Sequence, residues 1–579
     1  MGGNQMTSRR KKWGAAVAVA IAASAMATTT QAAGAKPAAS KQGGEVSYGI
    51  LNTISGWCFA NALTGDALGA TRMVYESLVE RDSRGRFIPH LAKSWASSEG
   101  GKVWTFKLRT GIKYSNGEDF NAASVKQNID IGRGLTSAPG FSSRYASTGI
   151  GINANIMTVD AVDAATVKIT LERPDNDFLG LMYRAGRYVM RAPAQIADPN
   201  TCSTNGIGTG PFKIVSYNPN ELVVERNPLY WRKDSAGVQM PYLNKITVVV
   251  VKEASQRAAA VRKGVLDAAS FTTGEATFVK DLQKRKSVVT EYAGNAGSWG
   301  QWVPNQNKAG SPFKYQNCRL AAAFAMNWPQ YNKVRLKGMG VYSGSIVGKD
   351  HIMYTRSGSP VFNLAKAKEF VGKCNADLTA AGVTGGFKVT LYADTSTQSL
   401  NNTKEVQKYL EAAGITMNPI FQAESAVLIA SIYRGGGNLY DFAEGTPAEG
   451  PGSGYVLPFF VTGAFPANST NPIAKTPLGA GYNKVVALGN HSDTQVDTLL
   501  YAAQAETNAT LRKQKFQAAT AHIQATGMAI PTLHTATYTF INKKSKLKGI
   551  GLLKNPDGKT FAPTRDIKGL EWTGVWQER

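Results

Sequence analysis

MVYESLVERDSRGRFIPHLAKSWASSEGGKVWTFKLRTGIKYSNGEDFNAASVKQN, residues 73–128, holds the densest run of ordered local signals in this chain. Trp104, Phe106 and Leu108 alternate with Thr105 and Lys107, the period-two pattern of a strand with one buried and one wet face. Asn116-Gly117 then supplies a tight turn, because both residues tolerate positive φ. Asn121 reads as an N-cap whose side chain accepts from the first free amides of a helix, with Val125 and Ile129 one turn apart on its apolar face. Strand, turn and capped helix follow one another.

Around this stretch the chain has the composition of a folded protein. Its 579 residues are 43% hydrophobic and 18% charged, which fits core-forming domains and not disorder. The length corresponds to about three or four domains of ordinary size. The longest apolar run, Gly14–Ala27, is too short to span a bilayer and lies directly behind Arg9, Arg10, Lys11 and Lys12. With Thr30-Gln31-Ala32-Ala33 offering small residues for cleavage, residues 1–33 are expected to be a signal peptide and 34–44 a linker. Ser8-Arg9-Arg10 leaves both general and twin-arginine export open. Residues 1–33 hold four of the 65 basic residues and none of the 40 acidic ones, so the net charge of +25 falls to +21 on their removal. The basic residues are spread along the chain with no arm-like run, so a nucleic-acid partner is not expected.

None of the four cysteines (Cys58, Cys202, Cys318, Cys374) follows the apolar run where a lipoprotein carries its acylated cysteine. A soluble periplasmic or secreted protein is expected, and in an oxidising compartment the four cysteines allow three pairings. His90, His351, His491, His522 and His534 form no short ligand motif, so neither metal nor cofactor is expected. There is no Gly-x-Ser-x-Gly elbow and no His-Glu-x-x-His helix, which argues against an exported hydrolase.

Val74-Tyr75-Glu76-Ser77-Leu78, Pro89-His90-Leu91-Ala92-Lys93-Ser94-Trp95, Thr105-Phe106-Lys107-Leu108-Arg109 and Asn116-Gly117 together resemble the family 5 extracellular solute-binding proteins, of peptide/nickel/opine type, that serve bacterial ABC importers. Gly208-Thr209-Gly210-Pro211-Phe212 and Tyr230-Trp231 resemble further family segments, as does the helix beginning at Asn317-Cys318-Arg319. The glycine-rich segment 206–210 is not a phosphate loop, because it lacks a Gly-Lys-Ser/Thr ending and Pro211 removes an amide. Ser124 stands where the family commonly has an aspartate, a change expected to alter capping and not ligand choice.

The resemblance implies an α/β, periplasmic-binding-protein-like two-lobe fold of the class II, cluster C type with an extra small α+β domain. Domain I would comprise residues 45–74, 200–298 and 528–579, domain II residues 75–199 and domain III residues 299–527. Within these, Ile246–Val251 reads as a strand buried on both faces. Residues 364–442 read as a β/α lobe with parallel strands, 494–527 as one long helix and 531–541 as one strand. The layout implies Cys58–Cys202 and Cys318–Cys374 disulfides, since each pair then falls in one domain.

The same resemblance implies a monomeric receptor that performs no chemistry. It would take a peptide or other small polar ligand between its lobes and pass it to ABC permease and ATPase subunits; an envelope sensor or chaperone-like binder is the alternative use of the fold. Cleft candidates are Trp57, Asn61, Trp299, Trp302, Asn305, Arg356, Arg434, Asp441 and Glu449. Arg434, beside Gly435-Gly436-Gly437, is the favoured basic group, and Glu449 is the nearest substitute for the acid that holds a peptide α-ammonium in the family. Asp441 matches a strand-end aspartate that is mostly structural there.

Overall fold

Glu45–Ile50 is the middle strand of a seven-stranded sheet in the computed structural model, pairing in parallel with Lys245–Val250 on one side and Ala268–Thr272 on the other. The structure describes residues 41–54, 56–57, 65–82, 86–135, 153–183, 188–198, 200–293, 300–306, 308–395, 397–422, 441–445, 460–462, 469–471, 493–551, 553–554, 560–561 and 571–578. Antiparallel Glu221–Arg226 and Phe212–Asn218 extend the sheet on one side, and Thr537–Asn542 and Val289–Ala293 on the other. Tyr48, Trp57, Phe212 and Ile246 share its core. Lys245–Val250 is not buried on both faces: Ile246 and Val248 are, but Thr247 and Val249 are half-buried, because the second face is only partly covered.

The signature stretch contributes to a four-stranded antiparallel sheet in the order Ala92–Ser98, Val103–Leu108, Thr166–Leu171, Ile156–Asp163. Trp104 and Phe106 oppose Ile169 and Val167, so the alternation read from sequence puts one continuous apolar face inward. The helix Ala122–Gly132 is capped by Asn121, whose Oδ1 accepts from Ser124 N at 3.0 Å while Asn121 N donates to Ser124 Oγ at 3.2 Å. Ser124 thus supplies the return half of a capping box. The core of this sheet is continuous with Leu500, Ala503 and Phe516 of the helices Thr494–Ala505 and Ala509–Ala525. Those two helices replace the single helix expected over 494–527, because Asn508 Oδ1 accepts from Thr510 N and Leu511 N and starts a second helix.

A five-stranded sheet runs Thr416–Gln422, Lys388–Asp394, Phe442–Gly445, Gln301–Pro304, Ile530–Pro531. The first three strands are parallel, as a β/α lobe requires, while Gln301–Pro304 is antiparallel to both of its neighbours. The reason is the chain path: Gln301–Pro304 enters this sheet from the seven-stranded one and Ile530–Pro531 returns to it, so adjacent entry and exit strands point in opposite directions. The strand expected over 531–541 is accordingly two, Ile530–Pro531 in one sheet and Thr537–Asn542 in the other. Cys318 and Cys374 are joined by a disulfide between the helices Gln316–Ala325 and Leu364–Ala380, with Cα atoms 4.8 Å apart. Cys202 is also disulfide-bonded, and Cys58 lies outside the described residues.

Candidate functional site

The sequence signatures converge on Glu76, which is 6% exposed. Its Oε1 accepts from Tyr230 OH at 3.0 Å and lies 3.1 Å from His90 Nε2. Its Oε2 accepts from Thr209 Oγ1 at 2.9 Å and Trp231 Nε1 at 2.8 Å. Arg109 joins by donating from Nε to His90 O at 2.7 Å and lying over the Trp231 ring. Gly208 and Gly210 are glycines because the chain crosses the Val74 backbone there: a Cβ on Gly208 would meet Val74 O at 2.1 Å. Burial alone would push the Glu76 carboxyl up, but the attraction and hydrogen bond of His90, the Trp231 N–H and the Arg232 guanidinium hold it below its ordinary range.

A small pocket beside Glu76 has among its lining residues Arg72, Glu80, His90, Arg232 and Glu571. Arg72 is paired with Glu80 and, at 3.3 Å, with Glu571. The pocket's charged groups pair within the protein and tie the surrounding segments together.

The passage between the two larger sheets is different. The two connecting segments touch where Thr532 N donates to Gly300 O at 2.7 Å, and a Cβ on Gly300 would meet Leu533 O at 2.6 Å. His534 is anchored by backbone bonds to Val341 of 2.8 and 3.0 Å, with its Nε2 2.5 Å from Ser343 Oγ. Side-by-side connections of this kind are where a two-lobe protein hinges.

Three predicted site residues meet beside this passage. Trp302 is buried in the core of the five-stranded sheet, its ring 5.0 Å from that of Trp328. Asn305 N donates to Asp441 O at 2.6 Å, and Asn305 O accepts from Ser311 Oγ at 2.6 Å. Asp441 accepts from Thr390 N at 2.7 Å and from Lys308 Nζ at 2.9 Å. Asn305 and Asp441 therefore stitch strand ends together. Trp57 sits in the other sheet's core, 1% exposed and edge-on to Tyr217 at 5.6 Å. Both indoles are packed into cores in this structure. Arg356 is exposed beside Gly344. Asn61, Trp299, Arg434 and Glu449 lie outside the described residues.

Sequence reading passed over Gln301. Its side chain is fully buried, and neither Nε2 nor Oε1 has a hydrogen-bond partner. The available signal was a polar residue two positions before Val303, on the strand face that packs inward. No group of three His, Cys, Asp or Glu among the described residues could hold a metal, and no helix among them is long and apolar enough to cross a membrane.

Comparison with known proteins places these features in one family. Residues 86–464 match the family described as bacterial extracellular solute-binding proteins, family 5 Middle. The chain is 27% identical over 442 residues to a glutathione-binding protein of Escherichia coli (strain K12), covering 74% of this chain and 77% of that one. It superposes with a TM-score of 0.72 on a periplasmic binding protein from Helicobacter pylori in complex with the peptide STSA, at 21% identity over 93% of this chain and 99% of the other. A binding protein of A.tumefacien R10 in complex with agropinic acid gives 0.73 at 19% identity, covering 93% and 99%. The fold is the α/β two-lobe arrangement of periplasmic binding proteins. The chain belongs to the bacterial extracellular solute-binding proteins of family 5, which are binding proteins and not enzymes.

Proposed function

We propose that this protein is the solute-capturing component of an ABC importer, holding a peptide or peptide-like polar solute between its two lobes and delivering it to a membrane permease driven by ATPase subunits. The observation that carries this reading is the similarity over 442 residues to a glutathione-binding protein, since glutathione is itself a peptide. The side-by-side connections at Gly300 and Thr532 support it, because they give the lobes a hinge. A solute that contacts both lobes favours the closed form by its differential affinity, and the permease selects that form.

In this reading residues 1–33 direct export and are removed, and the mature protein works as a periplasmic monomer without a lipid anchor. Arg434 and Glu449 take the solute's carboxylate and ammonium ends, while Asn61, Trp299 and Arg356 border it. Native mass spectrometry of the mature protein purified from its own host tests the proposal. The expected result is a co-purified peptide-sized mass that Arg434→Ala loses. A protein that carries no small molecule and gives no calorimetric heat with glutathione or short peptides would sink the proposal.

A further inference from the structure

Gln301 opens the strand Gln301–Pro304 at the point where the chain enters the five-stranded sheet. In register it faces Gly445 on one side and Pro531 on the other. Gly445 offers no side chain and Pro531 no N–H, and the carboxamide is paired with neither. Val303, two residues on and on the same strand face, joins a hydrophobic core. An apolar residue would therefore suit position 301 for packing alone. Instead a glutamine is fully buried there with both ends of its amide unpaired, an arrangement native proteins rarely keep without a use for it.

We propose that Gln301 is a ligand-recognising residue of the site between the lobes, its carboxamide pairing with an amide group of the bound solute. A carboxamide presents a donor and an acceptor side by side, and the group offering the matching acceptor and donor is another amide, the repeating unit of a peptide. The position suits the role, because Gln301 adjoins Gly300, where the two interlobe connections are bonded together. Further along the same region, Asn305 Oδ1 already accepts from Lys308 N and the Asp441 carboxylate from Thr390 N and Lys308 Nζ, so these side chains have fewer polar atoms to offer. This assignment rests on the peptide-binding reading above.

The test uses the mature full-length protein and two variants of similar volume, Gln301→Leu and Gln301→Met, with glutathione and trialanine as probes. Both variants are expected to melt at or above the wild-type midpoint without ligand, because an unpaired buried polar group has been removed. Each should bind the probe that wild type binds about tenfold more weakly, which is about 1.4 kcal/mol. Affinity that stays within about threefold of wild type in a folded variant overturns the proposal, since a structural amide has no stake in the solute. If wild type binds neither probe, the peptide reading is what fails. The unliganded midpoints then decide for Gln301: a fall in both variants shows an amide already paired inside the protein and overturns the assignment, whereas a rise keeps it.

Discussion

Glu76 and Gln301 are both interior polar side chains, and they have opposite fates. Glu76 receives His90, Thr209, Tyr230 and Trp231 from three separate parts of the chain, whereas Gln301 receives nothing. A buried polar group costs folding free energy unless it is paired, so the first arrangement holds the fold together and the second is tolerated. In the assignment proposed for Gln301, the paired group serves structure and the unpaired carboxamide is kept for a solute. The most forceful way to break this comparison is Glu76→Ala, which strands the donors around the lost carboxylate. We expect it to lower the unfolding free energy by about 3–5 kcal/mol in denaturant titration, while Gln301→Leu leaves stability unchanged or raised. A loss below about 1 kcal/mol for Glu76→Ala, no more than a typical surface change, would erase the distinction.

The paired region was legible in the sequence and the unpaired one was not. Each segment around Glu76 carries a residue type that geometry demands: Gly208 and Gly210 where the chain crosses Val74, a strand alternating through Trp104 and Phe106, and Asn121 where a helix begins. Gln301 is special only because Gly445 and Pro531 lie beside it, and both are distant in sequence. Trp57 and Trp302 are ambiguous in sequence for a related reason, since an indole suits a core and a cleft equally and only the packing shows that both sit in cores. The break at Glu506-Thr507-Asn508 went unread because it contains neither glycine nor proline, and only the Asn508 cap marks it. The splitting of 531–541 between two sheets has no local signal at all.

Asp175 lies between the two extremes and tests the comparison with pH. Its Oδ2 accepts from Gln504 Nε2 at 3.0 Å and its Oδ1 from Asp177 N at 2.9 Å, joining the four-stranded sheet to the helix Thr494–Ala505. Burial and the nearby Asp177 push its pKa up to about 7, against smaller opposing effects of Arg173 and Arg512. A raised pKa means the folded protein binds this proton more tightly than the unfolded chain. The stability it contributes is complete below the ordinary value of 3.8 and is lost as pH rises towards about 7. Glu76 has the opposite sign: its contribution is present above 4.5 and disappears as pH falls through its lowered value. Asp175→Asn keeps an acceptor for Gln504 and removes the charge, so it should gain on wild type between about pH 4 and 7, reaching on the order of 4 kcal/mol at neutrality. Parallel melting curves for the two proteins across that range would place Asp175 among the fully satisfied groups.

The smallest effect comes from inside the signature stretch and sharpens what that stretch is for. Asn121→Ala removes the acceptor for Ser124 N and leaves the first turn of the helix Ala122–Gly132 without its cap. An N-cap of this kind is worth about 1 kcal/mol, a fraction of the Glu76 effect. The neighbouring Ser124 hydroxyl accepts from Tyr114 OH at 3.0 Å and donates to Asn121 O at 2.8 Å, so the site keeps some order and the loss should stay near that value. Calorimetric affinity for the solute should not move, because the cap stabilises a helix packed on the four-stranded sheet and reaches no unpaired group. An Asn121→Ala protein that melts like wild type but binds its solute more weakly would reverse the assignment, making the signature stretch part of recognition and not only of the fold.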